Sequence, residues 1–194
     1  MKKEFFSKKK FVLSYIVSGG ITFWWAFIYI YIPVYIIESG MNSLVVGYFL
    51  AGIILPLIFL EYIFGKTVEK VGFKKMFFRG YSILFIVAIL CFFMNNIPPI
   101  LILLVLGSVG IAMLEPTTEA HFFTIASKDE RDKYYGIYNT GIEVNYVLSL
   151  FLVAILLKIT EFKYSFILIG LFMAVFALVS LRVKEKFGKN GLVS

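Results

Sequence analysis

Apolar residues in this chain fall into six long runs separated by short polar stretches. A hydrocarbon core about 30 Å thick is crossed by about 20 helical residues rising 1.5 Å each. The runs at 11–37, 44–64, 77–94, 97–125, 134–157 and 164–181 are of that order. They predict an all-α integral membrane protein: a single six-helix transmembrane bundle over 1–194, with short loops and no room for a second, soluble domain. The first run is too long for the apolar part of a signal peptide and lacks a small-residue cleavage site, so it reads as a retained helix.

The six runs differ internally. The third and sixth (82–94 and 165–179) are apolar all round, which predicts peripheral helices with lipid as their main neighbour. The first places Ser18, Thr22, Trp25 and Tyr29 on one stripe, and the fourth does the same with Ser108, Ala112, Glu115 and Glu119. An unsatisfied polar group in hydrocarbon costs several kcal/mol, so both stripes are expected to face protein or water and to line a cavity. The order polar, intermediate, bland recurs over 1–96 and 97–194, suggesting two three-helix units. An odd number of spans per unit makes the second inverted relative to the first. Gly19-Gly20, Gly47 with Ala51, and Gly107 with Gly110 are expected to allow close packing, and Pro56 and Pro116 to interrupt their helices.

Composition agrees: 60% of residues are hydrophobic and 19% aromatic, against roughly 45–50% apolar in a soluble domain. The net charge of +7 raises nucleic acid as a partner, but the positions of the charges argue against it. Seventeen of the nineteen Lys and Arg precede the first run, lie between the second and third (Arg79 just inside the third) or the fourth and fifth, or follow the sixth; only Lys158 and Lys163 fall on the other side. By the positive-inside rule both termini are assigned to the cytoplasm, in a multi-pass protein of the cell membrane. Anionic lipid is the next role for the lysines. The single cysteine, Cys91, reads as a buried small hydrophobe, and no motif calls for a cofactor or a metal.

Between the second and third runs the chain reads Gly65-Lys66-Thr67-Val68-Glu69-Lys70-Val71-Gly72-Phe73-Lys74-Lys75. This resembles the signature loop of the major facilitator superfamily, roughly Gly-x-Leu-Ala-Asp-Lys-x-Gly-x-Arg-Lys. Gly65, Lys70, Gly72, Lys74 and Lys75 match, Glu69 stands for the usual Asp and Thr67 for the usual Leu. The resemblance implies a conformational latch: glycines permit a tight turn, and a carboxylate among cations pairs with a helix terminus in one state and releases it in another. It also implies half of the usual twelve-helix fold. Leu103-Leu104-Val105-Leu106-Gly107 lacks the arginine usual in amino-terminal halves. Glu115-Pro116-Thr117-Thr118-Glu119 and the segment 129–136 are more like a carboxy-terminal half. A natural half-length protein and one half of a split gene both fit.

Three carboxyls need explanation at membrane depth. Glu115 lies about ten residues, hence about 15 Å, from the cytoplasmic end of its helix, and Glu143 lies at a similar depth. The fourth and fifth runs hold no Lys or Arg to neutralise them. Proton or cation coupling is one reading, and a hydrogen-bonded contact between helices is the other. Glu119, one turn nearer the cytoplasm, reads as a vestibule acid, and Glu61 as the partner of a loop lysine. Asn139, Glu143 and Tyr146 share one stripe of the fifth run, Tyr138 and Asn145 another. Trp25, near the midplane, lines a pocket or packs in the core, and His121 reads as a polar helix-end residue. The candidate substrate or proton pathway is therefore Thr22, Trp25, Tyr29, Glu115, Glu119, Asn139 and Glu143.

These features favour secondary active transport of a small solute by alternating access, with proton or cation coupling, in a pair with a second six-helix half or a second copy. The alternative is a non-transporting membrane assembly or sensor subunit on the same scaffold. An enzyme is disfavoured, since there is no paired-histidine zinc motif and no phosphate-binding glycine loop. A channel would need a filter-like loop, and none is visible.

Overall fold

The computed structural model describes residues 2–159 and 161–184. Six helices in it are long and apolar enough to cross a membrane: α1 (Lys9–Glu38), α2 (Ser43–Val71), α3 (Phe73–Phe93), α4 (Ile97–Ile125), α5 (Lys128–Ile159) and α6 (Phe162–Ser180). A short helix, Lys2–Ser7, precedes them, bent away from α1 at the extended residue Lys8. Among the described residues there is no strand. Lys186 and Lys189 of the basic tail lie outside the described residues.

Helix ends differ from the apolar limits for a physical reason. Hydropathy marks where hydrocarbon stops, whereas a helix stops where its backbone is interrupted. Lys66, Glu69 and Lys70 are good helix formers, so α2 runs on to Val71 and the segment expected as a loop is helical up to Gly72. Gly72 alone makes the turn, at φ 91°, and α3 begins at once with Phe73, Lys74 and Lys75. At the start of α5, Ser127 and Glu130 stand at capping-box spacing, and the Glu130 carboxylate accepts the Ser127 backbone N–H at 3.1 Å. That adds a turn ahead of the apolar run.

The two three-helix units exchange partners: α2 lies chiefly against α4, and α5 against α1, while α3 and α6 pack on each other. Helix association in lipid depends on close packing, because lipid tails are as apolar as leucine. At the α3–α4 contact a Cβ on Gly80 would stand 3.0 Å from the Gly110 carbonyl, and one on Gly110 2.9 Å from that of Gly80, so neither position admits a side chain. Between α1 and α6 an aromatic ladder forms, with Phe23 on Phe172, Phe27 on Phe166 and Tyr31 on Phe162, at centroid separations of 5.3, 5.5 and 5.1 Å. The expected small pair of Gly47 and Ala51 is not used, since nothing lies within 4 Å of a Cβ on Gly47.

In this six-helix bundle by itself, α3 and α6 are not the most exposed helices. In the described chain 44% of α3's apolar segment and 33% of α6's are buried, against 17% for α2 and 28% for α5, while α1 and α4 are the most enclosed at 56% each. An all-apolar surface excludes water as a neighbour but does not distinguish lipid from protein.

On one face, Lys163 donates to Asn95 at 2.9 Å and joins the α5–α6 and α3–α4 turns. On the other, basic face, Lys8 and Lys10 reach Glu130 at 2.8 and 3.1 Å, and Lys133 reaches Glu4 at 2.7 Å. Lys10 and Arg131 also donate to the last carbonyls of α4, at Ile125 (2.7 Å) and Phe123 (2.6 Å). Above these pairs Phe5, Phe11, Phe122, Tyr134 and Tyr138 form a second buried cluster that docks the amino-terminal helix.

Candidate functional site

The stripes of α1 and α4 meet across a groove that α2 and α5 complete. Two adjoining cavities open along it, of about 640 and 350 Å³, both lined by Thr22, Trp25, Glu61, Glu115 and Ile142. Tyr29, Glu143 and Tyr146 line the larger; Ser18, Thr118 and Glu119 line the smaller. Six of the seven residues expected on the pathway therefore share one groove. Asn139 lines neither cavity.

Local backbone irregularity positions the wall. Residues Phe27–Tyr31 form a π-helical turn inside α1, a feature often found where a helix serves a functional site. Just before and within it, Trp25 and Tyr29 stack with centroids 4.9 Å apart. Pro116 lies inside α4, directly after Glu115, and removes a backbone donor there. Thr118 returns its hydroxyl to the Glu115 carbonyl at 2.8 Å and Thr117 to that of Met113 at 2.5 Å.

Glu115 is half-buried and has a partner that its own helix does not supply. The indole N–H of Trp25 donates to its Oε1 at 2.6 Å. The Glu61 carboxyl, from α2, lines both cavities together with Glu115. This corrects the expectation for Glu61: among the described residues no ion pair joins it to a lysine, and Lys66 bonds the Tyr62 hydroxyl instead. Glu61 completes an i, i+3, i+4, i+7 stripe with Ile54, Leu57 and Ile58, all lining the larger cavity. That spacing was the signal available to place it. Glu119 is exposed and accepts from Tyr135 at 3.3 Å. Glu143 is exposed, with no hydrogen bond or ion pair among the described residues.

Other expectations resolve differently. His121 is buried, at 4% exposure, with Nδ1 3.1 Å from the Ser14 hydroxyl and its ring set against Phe73 and Phe77. It is a packed core residue rather than a helix-end one. Tyr138 donates to Ser18 at 2.8 Å, and Asn145, which donates to the Gly141 carbonyl at 2.7 Å, rests on Gly19; both belong to the α1–α5 contact. Of the latch residues, Gly65 faces Pro116 across the α2–α4 contact, its Cβ position 3.7 Å away. Glu69 and Lys70 occupy the exposed last turn of α2, and Lys74 and Lys75 the first turn of α3.

Residues 11–192 match the Major Facilitator Superfamily. The chain belongs to that superfamily. Its six spans fit half of the superfamily's fold, and the proteins of the family are transporters rather than enzymes. Compared with curated proteins and with solved structures, the chain has no match.

Proposed function

We propose that this major facilitator chain moves a small solute by alternating access, with proton coupling through the carboxyls of the groove. The observation that carries the reading is Glu115, placed mid-helix beside the Pro116 interruption and facing a cavity with only an indole N–H as its fixed partner. The titratable groups that share the larger cavity are Glu61 from α2, Tyr29 from α1, and Glu143 and Tyr146 from α5. Glu119 of α4 lines the adjoining one. In a low dielectric such carboxyls are costly to leave charged and unpaired, so a proton arriving or leaving changes which helix arrangement is favoured. Glu69, exposed at the α2–α3 turn, takes the latch role. The basic face lies in the cytoplasm, and a second six-helix bundle, a separate half or another copy, closes the groove.

The protein reconstituted in vesicles with an internal pH dye, challenged with sugars, amino acids, organic anions and organic cations in turn, tests this. Expected is a proton flux that depends on one solute class and falls by about tenfold or more in Glu115→Gln with the bundle intact. No solute-dependent flux from any class, with or without a partner half, overturns it.

A further inference from the structure

We infer that the larger cavity is a binding site for a hydrophobic organic cation. This rests on the transport reading and names the substrate class. The argument starts from what the cavity wall offers. Two of its four side-chain donors are spent: the Trp25 N–H on Glu115 at 2.6 Å, and the Thr22 hydroxyl on the Gly19 carbonyl of its own helix at 2.7 Å; the Tyr29 and Tyr146 hydroxyls have no hydrogen bond among the described residues. Apart from those two hydroxyls, the space is faced by acceptor and π surface, namely the carboxyls of Glu61, Glu115 and Glu143 and the rings of Trp25, Tyr29 and Tyr146.

No Lys, Arg or His is among the residues lining either cavity. The sequence also holds none between Phe11 and Gly65 or between Tyr134 and Leu157, so no span of α1, α2 or α5 at that depth supplies a countercharge. An anion entering would meet three acids, two neutral hydroxyl donors and no cation. A neutral sugar needs paired donors and acceptors, and finds mainly acceptors.

A cation gains twice. Its charge relieves carboxyls that would otherwise stand unpaired in a low dielectric, and its apolar body lies on a stacked aromatic wall at cation–π distance. Tyr29 leaves 41% of its surface open, so the outer side of that wall is available to a ligand. The remaining surface, Ile54, Leu57 and Ile58, is aliphatic and suits hydrocarbon substituents. A volume of about 640 Å³ falls within the roughly 300–1,000 Å³ of pockets that hold drug-sized ligands.

Radiolabelled tetraphenylphosphonium, dialysed against the full chain in nanodiscs with empty nanodiscs as the blank, tests the inference. Expected is saturable binding, displaced by ethidium but not by neutral triphenylphosphine oxide or by tetraphenylborate. Glu115→Gln and Trp25→Leu should each weaken it by about tenfold or more, and Trp25→Phe, which keeps a π face, by less. Melting curves identify any variant that fails to fold, in which case the separate Glu61→Gln and Glu143→Gln variants carry the comparison. Binding no better than the blank, equal displacement by the neutral analogue, or full affinity in all folded variants overturns the cation site. The proton-flux assay is read independently: flux driven by sugars or organic anions alone keeps the transport reading and sinks this one.

Discussion

At the basic face carboxylates sit among ammonium groups; in the groove they do not. Glu130 accepts from Lys8 at 2.8 Å, from Lys10 at 3.1 Å and from the Ser127 N–H at 3.1 Å, while Glu4 accepts from Lys133 at 2.7 Å. Glu115 has one neutral donor, and Glu143 none among the described residues. The same side chain serves two ends. Where water and cations are at hand, the acid fixes geometry: Glu130 caps α5 and ties it to the amino terminus. Where neither a lysine nor an arginine is built in, the acid keeps its capacity for a proton or a ligand and gives up the stability that a fixed partner would bring.

If that contrast is what matters, giving the groove a built-in cation should destroy its function. Ile142 lines both cavities beside Glu61 and Glu115. Ile142→Lys gives the groove an ammonium of the kind the basic face already has, and should cut solute-dependent proton flux by about tenfold or more, with no loss of thermal stability. This is the largest effect expected. Undiminished flux in a folded Ile142→Lys protein would mean that the groove tolerates a fixed cation, and the contrast would carry no functional weight.

The converse change, removing an acid from the basic face, should be felt as stability and not as transport. Glu130→Ala loses two lysine contacts and half of a capping box, and should cost about 1–2 kcal/mol. Hydrogen exchange should quicken over 128–133 while proton flux per folded protein is kept. Loss of flux without faster exchange would show that the cluster belongs to the transport machinery.

The sequence made α1 and α4 legible as groove-lining helices because a stripe such as Ser18, Thr22, Trp25 and Tyr29 is written along one helix and needs only the 3.6-residue period to read. The signature pattern from Gly65 to Lys75 was legible as a family mark, but not as a shape. Charged residues beyond the hydrocarbon still form helix, and only Gly72 breaks it. The bond from Trp25 to Glu115 spans ninety residues of sequence and had no local sign. Phe5 lies outside the six apolar runs, and its burial depends on Phe11, Phe122 and Tyr134, which reach it only through the tertiary fold. Glu61 misleads for a related reason: it stands one turn before the loop lysines along the chain, whereas the face it shares with Leu57 decides its place.

The finest test of the contrast is Glu4, the exposed end of the basic-face cluster. The hydrogen bond from the Lys133 ammonium holds its carboxyl down at about 2, from an ordinary 4.5. A depressed carboxylate contributes only while ionised, so its hold on the amino-terminal helix is complete above about pH 4.5 and fades as pH falls towards 2. Because both partners are exposed, the effect is small and screened by salt; Phe5, fully buried, does most of the docking. A nitroxide on Lys3→Cys, with Cys91 buried and unlabelled, reports the helix by its mobility. Mobility should rise modestly as pH drops below about 4.5 and should rise at neutral pH in high salt. In a Glu4→Gln background it should start slightly higher and lose most of its dependence on pH. An unchanged pH profile in Glu4→Gln would move the titration to another group and leave the amino-terminal helix held by its aromatic contacts alone.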